Sequence, residues 1–231
     1  MLVLSAATAG RGASGPSLVG INRSAGGSGR RRPGEGRGAR AVAPAAASTS
    51  SAPAFIKELV AIAEETNRGE TLTKEGRAKI DDICSRISAE GSPRPVTKEE
   101  LSKTWKLVLT TEKETLFITS NAKKWKNLDT DVLQIIDLDV GKLQNLISFD
   151  NGAAFVVNST LDLSEESGRS SFTFTDAQLC LPSKKTFGLP PFGQGWFDTV
   201  YVDDRFRLAM DSRGDVLLVE NGGEPDFFNA P

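Results

Sequence analysis

Thr104-Trp105-Lys106-Leu107-Val108-Leu109-Thr110 decides the fold class. Upstream of it, apolar residues recur every three or four positions. From Thr104 onward the period is two: Trp105, Leu107 and Leu109 alternate with Lys106, Val108 and Thr110, and alternate side chains of an extended chain share a face. The same pattern predicts strands at 116–119, 132–138, 143–149, 153–158, 171–181, 200–202, 206–210 and 216–219. Turn residues separate most of them, at Asn151-Gly152, Glu166-Ser167-Gly168, Asp203-Asp204 and Arg213-Gly214. Many short strands at nearly even spacing predict a sandwich or a barrel. About eight or nine strands close into a small barrel able to hold one ligand. No helix-length segment stands between consecutive strands, so antiparallel pairing is expected.

Ahead of the strands the sequence predicts a helical head over residues 51–102. Phe55, Ile56, Leu59, Val60, Ile62 and Ala63 fall largely on one face of a helix opened by Pro53-Ala54. Asn67-Arg68-Gly69 ends it, with Gly69 suited to a left-handed cap. A second helix from about Thr73 to Ala89 carries the stripe Ile80, Ile83, Cys84 and Ile87, and Gly91-Ser92-Pro93-Arg94-Pro95 stops it. Thr97-Lys98-Glu99-Glu100 reads as a capping box for a short third helix. The expected class is mainly β with N-terminal helices, α+β.

Composition excludes much chemistry. The chain has 231 residues, a net charge of −2, no histidine and 2 cysteines. Up to Pro53 it holds seven arginines and one acid, so of 30 acids and 28 bases, 29 and 21 remain in residues 54–231, a net of −8. An acidic body argues against nucleic acid, which needs a basic footprint. Without histidine there is no Ser-His-Asp triad, Cys-His pair or His-based zinc site. Cys84 and Cys180 are too few for a four-thiolate site and read as small buried apolar residues. No apolar run approaches the ~20 residues of a membrane helix. Residues 1–50, rich in Gly, Ala, Ser and Arg, have the composition of a disordered organelle transit peptide. The uncharged apolar opening Leu2-Val3-Leu4 favours a chloroplast address, with cleavage between Arg40 and Ser51. An arm that stays attached is the alternative. With a plastid address, the sequon Asn158-Ser159-Thr160 does not meet the secretory pathway.

Catalytic, metal and cofactor signals are poor. Asp203-Asp204 reads as a hairpin tip. Asp129 and Asp131 begin like a calcium loop, but Leu133 and Ile135 supply no ligands. Gly193-Gln194-Gly195 lacks a third glycine and leads to a strand, and there is no P-loop. Lys123-Lys124-Trp125-Lys126 suits a phosphate-rich surface, anionic lipid before nucleic acid. The alternative is a solvated strand or loop edge with Trp125 in the core. Trp105, Phe117, Phe149, Phe155, Phe172, Phe174, Phe192, Trp196, Phe197, Tyr201 and Phe206 lie in or beside the expected strands. Such rings make either a packed core or the wall of an apolar pocket, and the sequence leaves both open.

Three blocks resemble the plastid-lipid-associated proteins, also called fibrillins or plastoglobulins. The first is Leu59, Ile62, Asn67-Arg68-Gly69, Ile80, Ile83, Ile87 and Pro93-Arg94-Pro95, ending in Trp105-Lys106-Leu107-Val108-Leu109-Thr110-Thr111. The second is Gln134-Ile135-Ile136-Asp137 with Leu143-Gln144-Asn145. The third and most specific is Gly195-Trp196-Phe197-Asp198-Thr199-Val200-Tyr201-Val202-Asp203-Asp204-Arg205-Phe206-Arg207-Leu208, with Arg213-Gly214 and Val216-Leu217-Leu218-Val219 after it. The chain departs at Leu109, in the first block, where Tyr is common in the family, and at Met210-Asp211-Ser212, which replaces the usual Arg-Gly pair.

The resemblance implies a lipocalin-like antiparallel β-barrel over 103–221, helices 51–102 packed on it and a tail at 222–231. It implies a non-catalytic chloroplast protein, peripheral at thylakoids or plastoglobules or in the stroma. Its expected ligand is an apolar plastid lipid such as a prenylquinone, carotenoid or acyl lipid, with no cofactor or metal. The expected lipid-facing residues are Trp105, Leu107, Phe117, Phe149, Phe155, Phe172, Phe174, Trp196 and Tyr201, and Lys123, Lys124, Trp125 and Lys126 are the expected membrane contact. Tyr201, Asp203, Arg207 and Gly214 are motif residues expected to be structural, with Asp203 and Arg207 paired across a hairpin. The competing class is a filled-barrel scaffold that binds a plastid lipid or isoprenoid biosynthetic enzyme.

Overall fold

The computed structural model describes residues 53–89, 95–164, 166–190 and 193–229. The leader at 1–50 and its cleavage site lie outside the described residues, as do Gly91 to Arg94 and Phe192. Helix α1 (Ala54–Glu65) buries Ile56, Leu59 and Ala63, and α2 (Lys74–Ala89) buries Ile80, Ile83, Cys84 and Ile87. Between them Asn67, Arg68 and Gly69 all have positive φ. A Cβ on Gly69, at φ +107°, would stand 2.1 Å from the Thr110 carbonyl oxygen, so this docked turn requires glycine. Thr110 N–H donates to the Arg68 carbonyl at 3.1 Å, fixing the turn to the sheet. Helix α3 (Lys98–Leu101) has the reciprocal Thr97–Glu100 capping box.

Strands β1 (Thr104–Thr110), β2 (Thr130–Asp137), β3 (Lys142–Phe149), β4 (Ala154–Leu163) and β5 (Arg169–Cys180) pair antiparallel in succession. The first half of β5 then pairs with β7 (Gln194–Val202), which pairs with β8 (Phe206–Asp211), β8 with β9 (Val216–Asn221), and β9 with β1. The order β1-β2-β3-β4-β5-β7-β8-β9 thus returns to its start, and each of these eight strands has a partner on both sides. Strand β6 (Thr186–Leu189) pairs with the second half of β5. It is exposed throughout, and with no buried face it lacks the alternation that would reveal it.

A helix, α4 (Lys113–Lys126), occupies the place where residues 116–119 were expected to form a strand, and it stands between the antiparallel neighbours β1 and β2. Four alternating residues are too few to separate the two periods. The end signals favour the helix: Glu114 in the first turn, Lys123, Lys124 and Lys126 in the last, and left-handed Asn127 as its C-cap.

Three register shifts re-aim side chains. Leu107 pairs with Val219 but Leu109 with Leu218, so Val108 is extra. Leu107 therefore packs inside the ring while Leu109 packs outside, which corrects the shared face expected for them. A second shift makes Val200 extra in β7. A third makes Thr175 extra in β5.

Three apolar clusters result. Trp105, Leu107, Phe155, Phe172, Phe174 and Phe197 belong to the interior cluster. On the outer face, α1 and α2 cover Leu109, Val200, Phe206, Leu208, Val216 and Leu218. Phe227 and Phe228 of the C-terminal tail pack on Ile135, Leu146, Ala154, Val156 and Cys180. The tail is pinned by the Gln144 side chain, whose amide accepts from Phe228 N–H at 2.7 Å and donates to its carbonyl at 3.0 Å.

Cys84 and Cys180 are free and buried. Burial, with Asp81 nearby, pushes the Cys84 thiol from its ordinary 9.0 up to about 11. The fold thus favours the protonated thiol, and this contribution is complete below about pH 9 and is lost as pH rises toward 11. Native protein at pH 8 is expected to react with a thiol reagent orders of magnitude more slowly than denatured protein. Equal rates in a time course with and without urea would contradict that.

Candidate functional site

The inward positions of the strand ring form the candidate site. Trp105 and Leu107 enter it from β1, Phe155 from β4, Phe172 and Phe174 from β5, and Phe197 from β7, all buried. Phe149 is partly buried against the same cluster. Phe172 stacks with Phe174 at 5.5 Å and with Phe197 at 6.4 Å between ring centroids.

Three expected members stand elsewhere. Phe117 lies on α4 and is 66% exposed. Trp196 alternates with inward-facing Phe197 and so lies on the outer face, where the Arg169 guanidinium stacks 3.4 Å over its ring. Arg169 also makes two 2.8 Å bonds to Asp198. Tyr201 is turned outward by the extra residue Val200 and meets Phe55 edge-to-face at 5.1 Å.

Asp203 and Arg207 do not form the expected pair. Asp203 closes the β7–β8 hairpin: it accepts from the backbone N–H groups of Arg205 and Phe206 and from the Tyr201 hydroxyl. Arg207 follows Phe206 and precedes Leu208, both of which face the helices, so the pleat sends it into the ring. There it is fully buried. Its Nη2 donates to Gln134 Oε1, and its guanidinium lies 5.2 Å from the Trp105 ring and 5.3 Å from the Phe197 ring. Gln134 Nε2 in turn donates to Asn145 Oδ1 at 3.2 Å. Burial away from any carboxylate pulls the guanidinium down to about 9. Gly214, at φ +78°, turns β8 into β9, and its carbonyl accepts from Arg77 Nη2 at 2.7 Å.

Arg207 Nε and Nη1, Asn145 Nδ2, Ser159 Oγ, Ser170 Oγ and Thr199 Oγ1 are buried without a hydrogen-bond partner. All sit at inward positions, since Val157 and Leu161, Phe172, Phe197 and Ala209 on the same faces belong to the interior cluster. Buried polar groups are normally satisfied, and these six are exceptions among the described residues. The signal was a polar residue at an inward position of an apolar strand, as at Gln134, Asn145 and Arg207.

Outside the ring, Trp125 is 70% exposed on the last turns of α4 beside exposed Lys123, Lys124 and Lys126, so it is not in the core. Lys123 pairs with Asp129 at 2.7 Å. A groove of about 640 Å³ runs between α1 and α2, lined by Ala61, Ile62 and Ile83 and by charged residues including Glu58, Lys79, Asp82 and Arg86. Among the described residues no three acidic or thiol groups cluster as a metal site, and no helix is long and apolar enough to cross a membrane.

The PAP_fibrillin family model matches residues 54–220, from the first helix to the last strand. The chain is also 38% identical over 167 residues to probable plastid-lipid-associated protein 11, chloroplastic, of Arabidopsis thaliana, covering 71% of this chain and 77% of the relative. No solved structure matches it. Every block of the fold, including the inward Gln134, Asn145 and Arg207, falls inside the matched span, and the chain belongs to the plastid-lipid-associated protein, or fibrillin, family.

Proposed function

We propose that the chain is a non-catalytic lipid-binding protein of the chloroplast, and that its strand ring is a lipocalin-like β-barrel whose interior takes an apolar plastid lipid such as a prenylquinone, carotenoid or acyl lipid. The observation that carries this reading is the closed order of eight strands around an aromatic interior with unpartnered polar atoms. Eight strands is the size at which a barrel accommodates one small ligand. Trp105, Leu107, Phe149, Phe155, Phe172 and Phe174 are its wall. Burial of isoprenoid or acyl surface, worth about 25 cal/mol per Å² before ordering costs, drives binding. The chloroplast address rests on the leader's composition and on the relative's name. The reading requires no cofactor, metal or nucleic acid.

Attachment to a thylakoid or plastoglobule surface is peripheral and uses α4. Exposed Phe117 and Trp125, with Lys124 between them and Lys126 beyond, combine amphipathic rings with cations. Lipid mass spectrometry of the protein purified from chloroplasts is expected to recover apolar lipid enriched over bulk membrane; recovery of none sinks the reading. A filled-barrel scaffold for a plastid lipid or isoprenoid biosynthetic enzyme is the second reading. It is favoured by exposed Phe187 and Leu189 on β6, an apolar edge open to a partner.

A further inference from the structure

We propose that Arg207 receives the anionic head group, carboxylate or phosphate, of an acyl lipid held inside the strand ring. This rests on the lipid-binding reading above and specifies its ligand. Arg207 is fully buried and makes no ion pair among the described residues. An isolated buried cation costs several kcal/mol unless an opposite charge joins it. The unpartnered nitrogens, Arg207 Nε and Nη1 and Asn145 Nδ2, are all donors. At the guanidinium itself the missing partner is therefore an acceptor, and a negative one, to which the unpartnered hydroxyls of Ser159, Ser170 and Thr199 can also donate. Gln134 is already committed to Arg207 and Asn145, so it orients the pair without neutralising it. The rings of Trp105 and Phe197 flank the guanidinium and keep water from it.

The neighbouring inward positions receive the acyl chain. Ser159 on β4, Ser170 on β5, Thr199 on β7 and Ala209 on β8 are short, and Thr199 pairs directly with Ala209. Ser159 pairs with Phe174 and Ser170 with Phe197, so these short side chains stand among rings that offer the chain an apolar wall. An acid bound there supplies both the missing charge and the missing lone pairs, whereas a neutral quinone or carotene leaves Arg207 uncompensated.

The test compares oleate, oleyl phosphate and oleyl alcohol, three probes with one tail, on the full chain by calorimetry. At least one acid is expected to bind tenfold or more tighter than the alcohol, about the smallest gap a charged hydrogen bond gives. The tighter acid names the head group. Arg207→Gln is expected to abolish that preference, so that the acids bind no tighter than the alcohol. Because the variant is free of the buried charge, its melting temperature without lipid provides a check that it folds. Equal binding of acids and alcohol by the natural chain overturns the head-group assignment and leaves the lipid-binding reading standing. Acid preference that survives in Arg207→Gln overturns the role of Arg207. Binding of none of the three probes, nor of any neutral plastid lipid, overturns both.

Discussion

Trp105→Ala lowers the free energy of unfolding by about 3–5 kcal/mol, the range for emptying a large aromatic from a core. Trp105 has no exposed surface. Its indole N–H donates to the Leu101 carbonyl at 2.9 Å, tying α3 to the first strand of the ring, and its ring lies 5.2 Å from the Arg207 guanidinium. Removing it costs the transfer term, the cavity term and the shelter of a buried charge together. Trp105→Phe separates them: it keeps an aromatic in place and loses one hydrogen bond, about 1 kcal/mol, with part of a cation–π contact. Urea titration reads both. An Ala variant within 1 kcal/mol of the parent would mean that the indole is not a keystone of the interior.

The strands were legible from alternation and turn residues, most clearly in β5, where buried and exposed positions alternate. β3, β8 and β9 are buried on both faces, and the alternation from Thr104 announced the change from helix to sheet. The helical head was legible for the same reason, its stripes being long enough to show a period. What could not be read is what depends on a single residue. An extra Val108 sends Leu109 to the helices, and an extra Val200 sends Tyr201 outward. No composition rule marks such insertions, yet each reverses every side chain that follows. β6 and α4 were missed because one has no buried face and the other buries only Thr115 and Thr119.

The site was legible as a set of rings but not as a charge. Arg207 was visible as a motif residue, and its neighbour across the hairpin suggested Asp203 as partner. Counting positions along β8 from Phe206, which faces the helices, puts Arg207 inside. That count needs the helix contacts, which the sequence does not show. Placing a guanidinium in an aromatic interior without an ion pair costs stability. Its contacts are the Gln134 amide and the rings of Trp105 and Phe197.

Arg213→Ala is expected to cost about 3 kcal/mol or more, the scale for stripping one partner from buried charges. Arg213 sits in the β8–β9 turn and reaches Glu112 at 3.2 Å, Glu114 at 3.0 Å, Asp211 at 3.4 Å and Asp215 at 3.2 Å. The Glu112 and Asp211 side chains are only 1% exposed, so without Arg213 they are buried carboxylates deprived of their counter-charge. Glu112 also accepts from Thr115 Oγ1 at 2.7 Å in the first turn of α4, and Arg77 of α2 reaches Asp215 at 3.6 Å. One guanidinium thereby clamps α4 and the β8–β9 turn. Glu114→Ala is the contrasting control. Its side chain is 38% exposed, and loss of such a pair costs about 1 kcal/mol or less. Urea denaturation of both variants beside the parent reads the two costs, and an Arg213→Ala loss no larger than that of Glu114→Ala would show that Arg213 does not act through the buried carboxylates.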